Sequence, residues 1–305
     1  MSTLPPPTSW STRLRTATAS VTLRAAPDFE ALAVALDLAA RAAEAIQRIA
    51  TEGIERSHKA DKTLVTNADL AADALITDGL RAAFPDEAIL SEESGQRDGA
   101  GARRIWVVDP IDGTKAYAKQ IPGFSVMIGR LDGDRPDLGV VFDPVEPVVY
   151  LALRGAGAYV LYPDGRGLER VELTGTSFDS PLTLITTPSC PEKTRSRLLV
   201  SGRLRLGSTI NSVGIKVGLL LRGAAEIYFS HHGLSYWDTV APLAIAFEAG
   251  ARASLVDGEQ LRYDCQSADR RRSHDAPLVV SPASIHDEAL QLVRAALVEK
   301  EPTPC

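Results

Sequence analysis

The segment VVDPIDGTKAY, residues 107–117, ends an apolar run on two aspartates, Asp109 and Asp112, with Pro110 between them and Gly113, Thr114 and Lys115 directly after. Three other places set carboxylates beside apolar or small residues: Asp69 in LVTNADLAAD, Glu92 and Glu93 in LSEESG, and Asp238 in YWDTVAP. Each stands where an expected strand ends or an expected helix begins, so their side chains can converge on one cleft. Clustered carboxylates suit a hard divalent cation, above all magnesium, which prefers oxygen ligands and keeps several waters. On this reading Asp109 and Asp112 reach the metals, the Ile111 carbonyl points at one, Glu92 bridges from a facing loop and Asp238 closes the cage from the later part of the chain. Pro110 fixes φ and lacks a donor, which favours an irregular bend over continued strand pairing. Gly113 permits close approach, and amides opening a helix after it would face a phosphate oxygen. Metals beside those amides neutralise a phosphate dianion and activate water. The predicted chemistry is hydrolytic removal of a phosphate.

Each place also admits a plainer reading. Thr66 followed by Asp69 matches a capping box. Asp238 serves as a cap for a helix over 239–248. Glu92 and Glu93 read as loop charges, and Asp109 and Asp112 as turn residues. Four such coincidences in one chain are harder to accept than one shared site.

The elements that would position these acids follow from periodicity. Leu32, Leu36, Ala39, Ala43 and Ile46 recur at helical spacing, predicting a helix over 28–52, and Ala72, Ile76 and Leu80 predict another over 68–83. Leu64 and Val65 form a short β-like piece before it. Strand-like runs follow at 88–90, 105–108, 124–131, 138–142, 148–153 and 158–161. Beyond residue 180 come strands at 182–187, 224–229 and 277–281, with helices over 214–221, 239–248 and 284–298. The chain therefore reads as 28–180, an amino-terminal α+β half carrying most of the acids, and 181–305, an α/β half that completes a shared cleft. Residues 1–27, rich in Pro, Ser, Thr and Arg and free of acids, read as a disordered tail, a mis-assigned start or an organellar transit segment.

At 305 residues, 45% hydrophobic and with a net charge of −6, the sequence gives no general attraction to nucleic acid or anionic membrane. No apolar run approaches the ~20 residues of a membrane helix. Cys190, Cys265 and Cys305 are odd in number and widely spaced, which fits a reducing compartment and a cytoplasmic protein.

LVTNAD, LSEE, VVDPIDGTKAY and WDTVAPLAIAFEAGA, in this order along the chain, resemble the motifs of the inositol monophosphatase superfamily, the lithium-sensitive, magnesium-dependent phosphomonoesterases. The resemblance implies an α/β fold of alternating α/β/α/β/α layers, of the inositol monophosphatase and fructose-1,6-bisphosphatase type. It implies two to three Mg²⁺ ions held by Glu92, Asp109, Ile111, Asp112 and Asp238, with Asp69 at a weaker further ion. It also implies Thr114, backed by Asp69, as the group orienting the attacking water, Glu92 among the catalytic acids, and Gly113 with Thr114 as the phosphate cradle. Homodimers are common in the family.

The substrate is a separate question, because fold and cage do not set it. Lys115 after Asp-Gly-Thr, together with WDTVAP and GEQLRYD, is closer to the 3′(2′),5′-bisphosphate nucleotidases than to typical inositol monophosphatases. Lys216 in SVGIKVGLLL falls where those nucleotidases carry a lysine, suited to binding a second phosphate as a point charge; the alternative is a snorkelling surface lysine. Two segments depart from the nucleotidase pattern: Ser212-Val213-Gly214 in place of Gly-Ser-Ser, and TTPSCPEK at 186–193, where Thr187 and Ser189 still offer donors. Inositol-1-monophosphatase and histidinol-phosphate phosphatase activities stay open, as does a transcription accessory role on the same fold. His231 and His232 read as residues of the cleft rim or as a proton source.

Overall fold

The computed structural model describes residues 10–17, 22–97, 102–164, 166–265 and 272–297. In chain order the helix α1 (Trp10–Ala17) precedes α2 (Phe29–Glu52), the hairpin strands β1 (Arg56–His58) and β2 (Leu64–Thr66), and α3 (Asn67–Ala83). Then follow β3 (Ala88–Ser91), β4 (Gly95–Arg97), β5 (Arg104–Asp112), α4 (Thr114–Ala118), β6 (Ser125–Asp132), β7 (Arg135–Asp143), β8 (Val148–Leu153), β9 (Gly157–Tyr162) and β10 (Gly167–Val171). The later part holds β11 (Leu182–Ile185), α5 (Glu192–Leu198), β12 (Leu204–Leu206), α6 (Val213–Leu221), β13 (Ile227–Ser230) and β14 (Leu234–Ser235). It closes with α7 (Tyr236–Glu248), β15 (Ala251–Leu255), β16 (Ser273–His274), β17 (Leu278–Pro282) and α8 (His286–Leu297).

Two large sheets organise these elements. The first has eight strands in the order β10-β9-β8-β7-β6-β5-β3-β4, antiparallel except where β3 runs parallel to β5. The second has five, in the order β12-β11-β13-β17-β15. Strand side chains alternate between faces, and three cores show where each face goes. Val126, Ile128, Val140 and Phe142 pack on the buried stripe of α2 and α3, including Leu32, Leu36, Ile46, Ala72 and Ile76. Met127 and Val141, on the other face, meet α6 and α7 through Val217, Ala241 and Ile245, and those helices also cover Tyr228 and Val280 of the second sheet. Ile227, Phe229 and Val279 face α5 and α8. The result is the layering α/β/α/β/α expected from the motifs. The first sheet ends at Val171 and the second starts at Leu182.

The amino-terminal expectation needs correction. Residues 10–17 are helical, not a disordered tail: Trp10 and Leu14 are buried, and Trp10 meets Phe142 edge to face at 5.0 Å between ring centroids. Residues 1–9 and 18–21 lie outside the described residues. Two aromatic and aliphatic side chains removed from water are enough to hold a short helix that its own propensity would not. Among the described residues, no helix is long and apolar enough to cross a membrane.

Candidate active site

In a regular strand Asp109 and Asp112, three residues apart, would point to opposite faces. The pairing of β5 with β6 prevents this. Asp109 opposes Met127 and Asp112 opposes Ser125, so three steps along β5 match two along β6. The extra residue is a bulge at Pro110-Ile111, a position that tolerates a proline and re-aims the side chains around it. The strand thus continues to Asp112 instead of stopping at the 108 expected from the apolar run. Asp238 arrives from the second half of the chain on α7. That helix opens at Tyr236, three residues before the expected start, so Asp238 is not its N-cap; it lies in the first turn and accepts from the Ser235 N–H at 2.8 Å. One carboxylate oxygen from each of Asp109, Asp112 and Asp238 lies within 4.8 Å of the others.

Their surroundings differ. Asp112 Oδ2 accepts from the Ser212 hydroxyl at 2.6 Å and the Gly214 N–H at 2.9 Å, and the Ser125 hydroxyl stands 3.4 Å away. Gly214 is needed for this: a Cβ there would sit 2.7 Å from Ser125 Oγ. Asp109 Oδ1 is buried and has no hydrogen-bond partner among the described residues. Burial pushes Asp109 well above the ordinary carboxylate range, and the like charges of Glu92, Asp112 and Asp238 push it further. Burial also raises Asp112, against the hydrogen bonds from Ser212 and Gly214. Asp238 is pushed up to about 8, first by burial and then by Asp112 and Glu92. An orphaned carboxylate oxygen beside two further acids is a costly way to build a core. It fits a hard divalent cation, for which an all-oxygen donor set is the natural one.

Asp69 is both a cap and a partner of Thr114. It completes the capping box of α3, its Oδ2 accepting from Thr66 N–H at 2.8 Å, while its Oδ1 lies 3.0 Å from the Thr114 hydroxyl. That hydroxyl is also 3.0 Å from the Ile111 carbonyl and donates to one or the other. Thr114 is the first residue of α4, after Gly113 at φ 95°, a left-handed conformation with a Cβ position only 2.6 Å from the Gly123 carbonyl oxygen.

Glu92 stands outside the three-carboxylate group, though its charge acts on Asp109. The Lys59 ammonium holds it at 3.0 Å and holds Glu93 at 2.8 Å. Burial raises Glu93 to about 7, and Lys59 opposes the shift. The turn carrying both glutamates is fastened to α3, where Asp73 accepts from the Ser91 and Ser94 hydroxyls. Lys59, Asp73, Ser125 and Ser212 were not singled out as site residues from the sequence. Only Asp73 carried a signal, lying one helical turn beyond Asp69 on the same face.

Glu92, Asp112, Gly113, Thr114, Lys115 and Asp238 line one cleft of about 600 Å³. Thr187, Ser189 and His232 also line it, while His231 turns its Nδ1 toward Thr187 Oγ1 at 3.3 Å. Lys216 does neither thing expected of it. It is fully buried on α6, so it is no snorkelling surface lysine, and it does not line the cleft, so it offers no point charge to a second phosphate. Its ammonium donates to the Asn211 carbonyl at 3.1 Å and lies 4.8 Å from the Tyr228 ring centroid. Burial lowers it to about 8, with Asp112 and Asp238 opposing the shift. Position 216 falls on the inward face of a helix sandwiched between two sheets, a fact set by packing.

Residues 29–298 match the inositol monophosphatase family. The chain is 34% identical over 230 residues to the 3′(2′),5′-bisphosphate nucleotidase CysQ of Escherichia coli (strain K12), an alignment covering 74% of this chain and 91% of that protein. It is 31% identical over 238 residues to the Nus factor SuhB of Pasteurella multocida, covering 73% of this chain and 85% of that one. Among solved structures, Mycobacterium tuberculosis SuhB superposes with a TM-score of 0.68 at 29% identity, over 88% of this chain and 97% of its own.

Proposed function

Since the chain belongs to the inositol monophosphatase family and is a phosphoric monoester hydrolase, we propose that it removes a phosphate from a 3′(2′),5′-bisphosphate nucleotide, adenosine 3′,5′-bisphosphate first among them, with Mg²⁺ as its ion. The observation that carries this reading is Lys115, exposed on the cleft directly after the Gly113-Thr114 turn, in a chain that resembles a nucleotidase over most of that enzyme's length.

The family is generally metal-dependent. Asp109, Asp112, Asp238, Glu92 and the Ile111 carbonyl would hold two ions, and Asp69 would help hold a third. When bound, the ions supply the positive charge that neutralises the phosphate and makes water more acidic. The chain's own groups do the positioning. Thr114 donates its hydroxyl hydrogen to Asp69 or to the Ile111 carbonyl, each at 3.0 Å, and either leaves its lone pairs free to accept from, and so orient, a water in the cleft. Gly113 and Thr114 would present their N–H groups to phosphate oxygens, with Lys115 adding charge beside them. Burial of the cluster strengthens each of these interactions relative to water. Lys216 is better read as a buried counter-charge behind Asp112 and Asp238 than as a substrate contact.

The burial of Lys216 also favours a second reading, a monophosphate substrate such as inositol 1-phosphate or histidinol phosphate, since one expected reader of a second phosphate is missing from the cleft. Phosphate release from a matched panel with Mg²⁺, using Asp109→Asn as control, separates the two: preference for the bisphosphate supports the nucleotidase reading, and preference for a monophosphate refutes it. Lithium is expected to inhibit. The likeness to a Nus factor keeps a role in transcription as a further reading, and that role would survive Asp109→Asn. The net charge of −6 argues against direct RNA contact in it. Free thiols at Cys190 and Cys265 support a cytoplasmic location.

A further inference from the structure

Lys62 occupies a position that its backbone makes costly. It follows the turn between β1 and β2 with φ 69°, a left-handed conformation that glycine or asparagine adopts more readily than a long side chain does. The turn is fixed by the Lys59 N–H donating to the Thr63 carbonyl and the Lys62 N–H to the Lys59 carbonyl, each at 2.9 Å. Strain of this kind tends to persist where a side chain is needed.

The side chain is exposed, lines the same cleft as Thr114, Lys115 and Asp238, and has no ion-pair partner among the described residues. Its neighbours are otherwise engaged. Asp61 accepts from the Thr63 N–H at 2.9 Å and the Thr63 hydroxyl at 2.6 Å. Lys59 holds Glu92 and Glu93. Lys115 stands beside the turn assigned to the scissile phosphate, and Lys216 is sealed inside. Among the described residues, Lys62 is therefore the lysine lining the cleft that comes from a different element than the phosphate turn and carries no ion pair.

We propose that Lys62 is a specificity-determining residue that binds a second anionic group of the substrate, one held away from the scissile phosphate. This rests on the phosphatase reading of the cleft given above, and it gives Lys62 the part that the sequence offered to Lys216.

The experiment compares kcat/KM for a nucleoside 3′,5′-bisphosphate with that for the matching 3′-monophosphate, in the full chain with Mg²⁺. Wild type is expected to favour the bisphosphate. Lys62→Asn should lower the ratio about five- to tenfold, the worth of roughly 1 kcal/mol for an exposed charge pair, chiefly through the KM of the bisphosphate. Lys62→Arg should keep the ratio, and added salt should shrink it in wild type but little in Lys62→Asn. Thermal unfolding of Lys62→Asn should occur at the same or a higher temperature, since asparagine suits the backbone. A wild type that favours the bisphosphate while Lys62→Asn keeps the ratio would overturn the proposal and leave the nucleotidase reading standing. Equal losses on both substrates would show a structural role and overturn it as well. A wild type without preference would sink the nucleotidase reading itself, before any variant is compared, and this proposal with it.

Discussion

Ser212 links the two halves of the site, and its replacement by alanine tests the account most directly. Its hydroxyl donates to Asp112 at 2.6 Å and accepts from the Ile215 N–H at 3.0 Å, so it is at once a carboxylate donor and the N-cap of α6. Loss of an N-cap costs about 1 kcal/mol. Loss of a buried hydrogen bond to a charged group costs about 1.5–3 kcal/mol. The Ser125 hydroxyl, 3.4 Å from the same Asp112 oxygen and 3.0 Å from Ser212 Oγ, can turn in and recover part of the second term. The net expectation is a loss of about 2–3 kcal/mol, well beyond the ±0.5 kcal/mol or so of an ordinary surface substitution. For a chain of this size that lowers the melting temperature by roughly 3–5 °C. Urea unfolding with Mg²⁺ present, followed by tryptophan fluorescence, measures the first quantity. Calorimetric titration with Mg²⁺ measures a second: Asp112, deprived of a donor, should bind the ion more weakly. Combining Ser212→Ala with Asp112→Asn should give a coupling of at least about 1 kcal/mol, as groups in contact do. A loss under about 1 kcal/mol with Mg²⁺ affinity unchanged would refute the reasoning, because the carboxylate would then not depend on this donor.

Asp109→Asn should abolish Mg²⁺-dependent phosphate release yet raise the melting temperature of the metal-free protein at pH 8, since it removes a buried carboxylate that burial and its neighbours hold well above its ordinary range; a metal-free variant less stable than wild type would contradict this. Lys216→Met should leave the ratio of bisphosphate to monophosphate turnover unchanged while strengthening Mg²⁺ binding, since a buried cation near Asp112 and Asp238 repels an incoming one; a selective rise in KM for the bisphosphate would restore the substrate-contact reading. Burial lowers His274 and His286 to about 4. In the unfolded chain they take up protons near 6.5, so the unfolded state binds more protons between about pH 6.5 and 4. Their contribution to stability is complete above that window and is lost as pH falls through it. His286, fully buried between the Ser254 and Ser281 hydroxyls at 2.9 and 3.0 Å, allows the check. The acid slope of unfolding free energy should be shallower in His286→Gln than in wild type, and an unchanged slope would refute the assignment.

Elements whose signal is local were legible in the sequence. The stripe of α2 and that of α3 lie within single helices, and their predicted bounds of 28–52 and 68–83 sit within a residue of Phe29–Glu52 and Asn67–Ala83. The long strands of the first sheet were legible for the same reason, and the spacing of DPIDGT and WDTVAP carried the acids that the fold brings together. Short, charged elements gave no such signal: β1 reads RSH and β10 GLERV, and α5 carries Glu192, Arg195 and Arg197 among seven residues. They are ordered by neighbours that the pattern does not name.

Tertiary structure alone decided the rest, because it depends on pairs of residues far apart in the chain. Only the register of β5 against β6 shows the bulge that turns Asp109 and Asp112 to one side. Only the packing of α6 between two sheets shows that Lys216 is sealed behind the acids, and that Ser212 and Gly214 serve Asp112, a hundred residues earlier, instead of a ligand. Trp10 likewise belongs to the core only because Phe142 waits for it. Periodicity reports which face of an element is apolar; what that face meets, and which polar group is buried with it, follows from long-range contacts that no local pattern encodes.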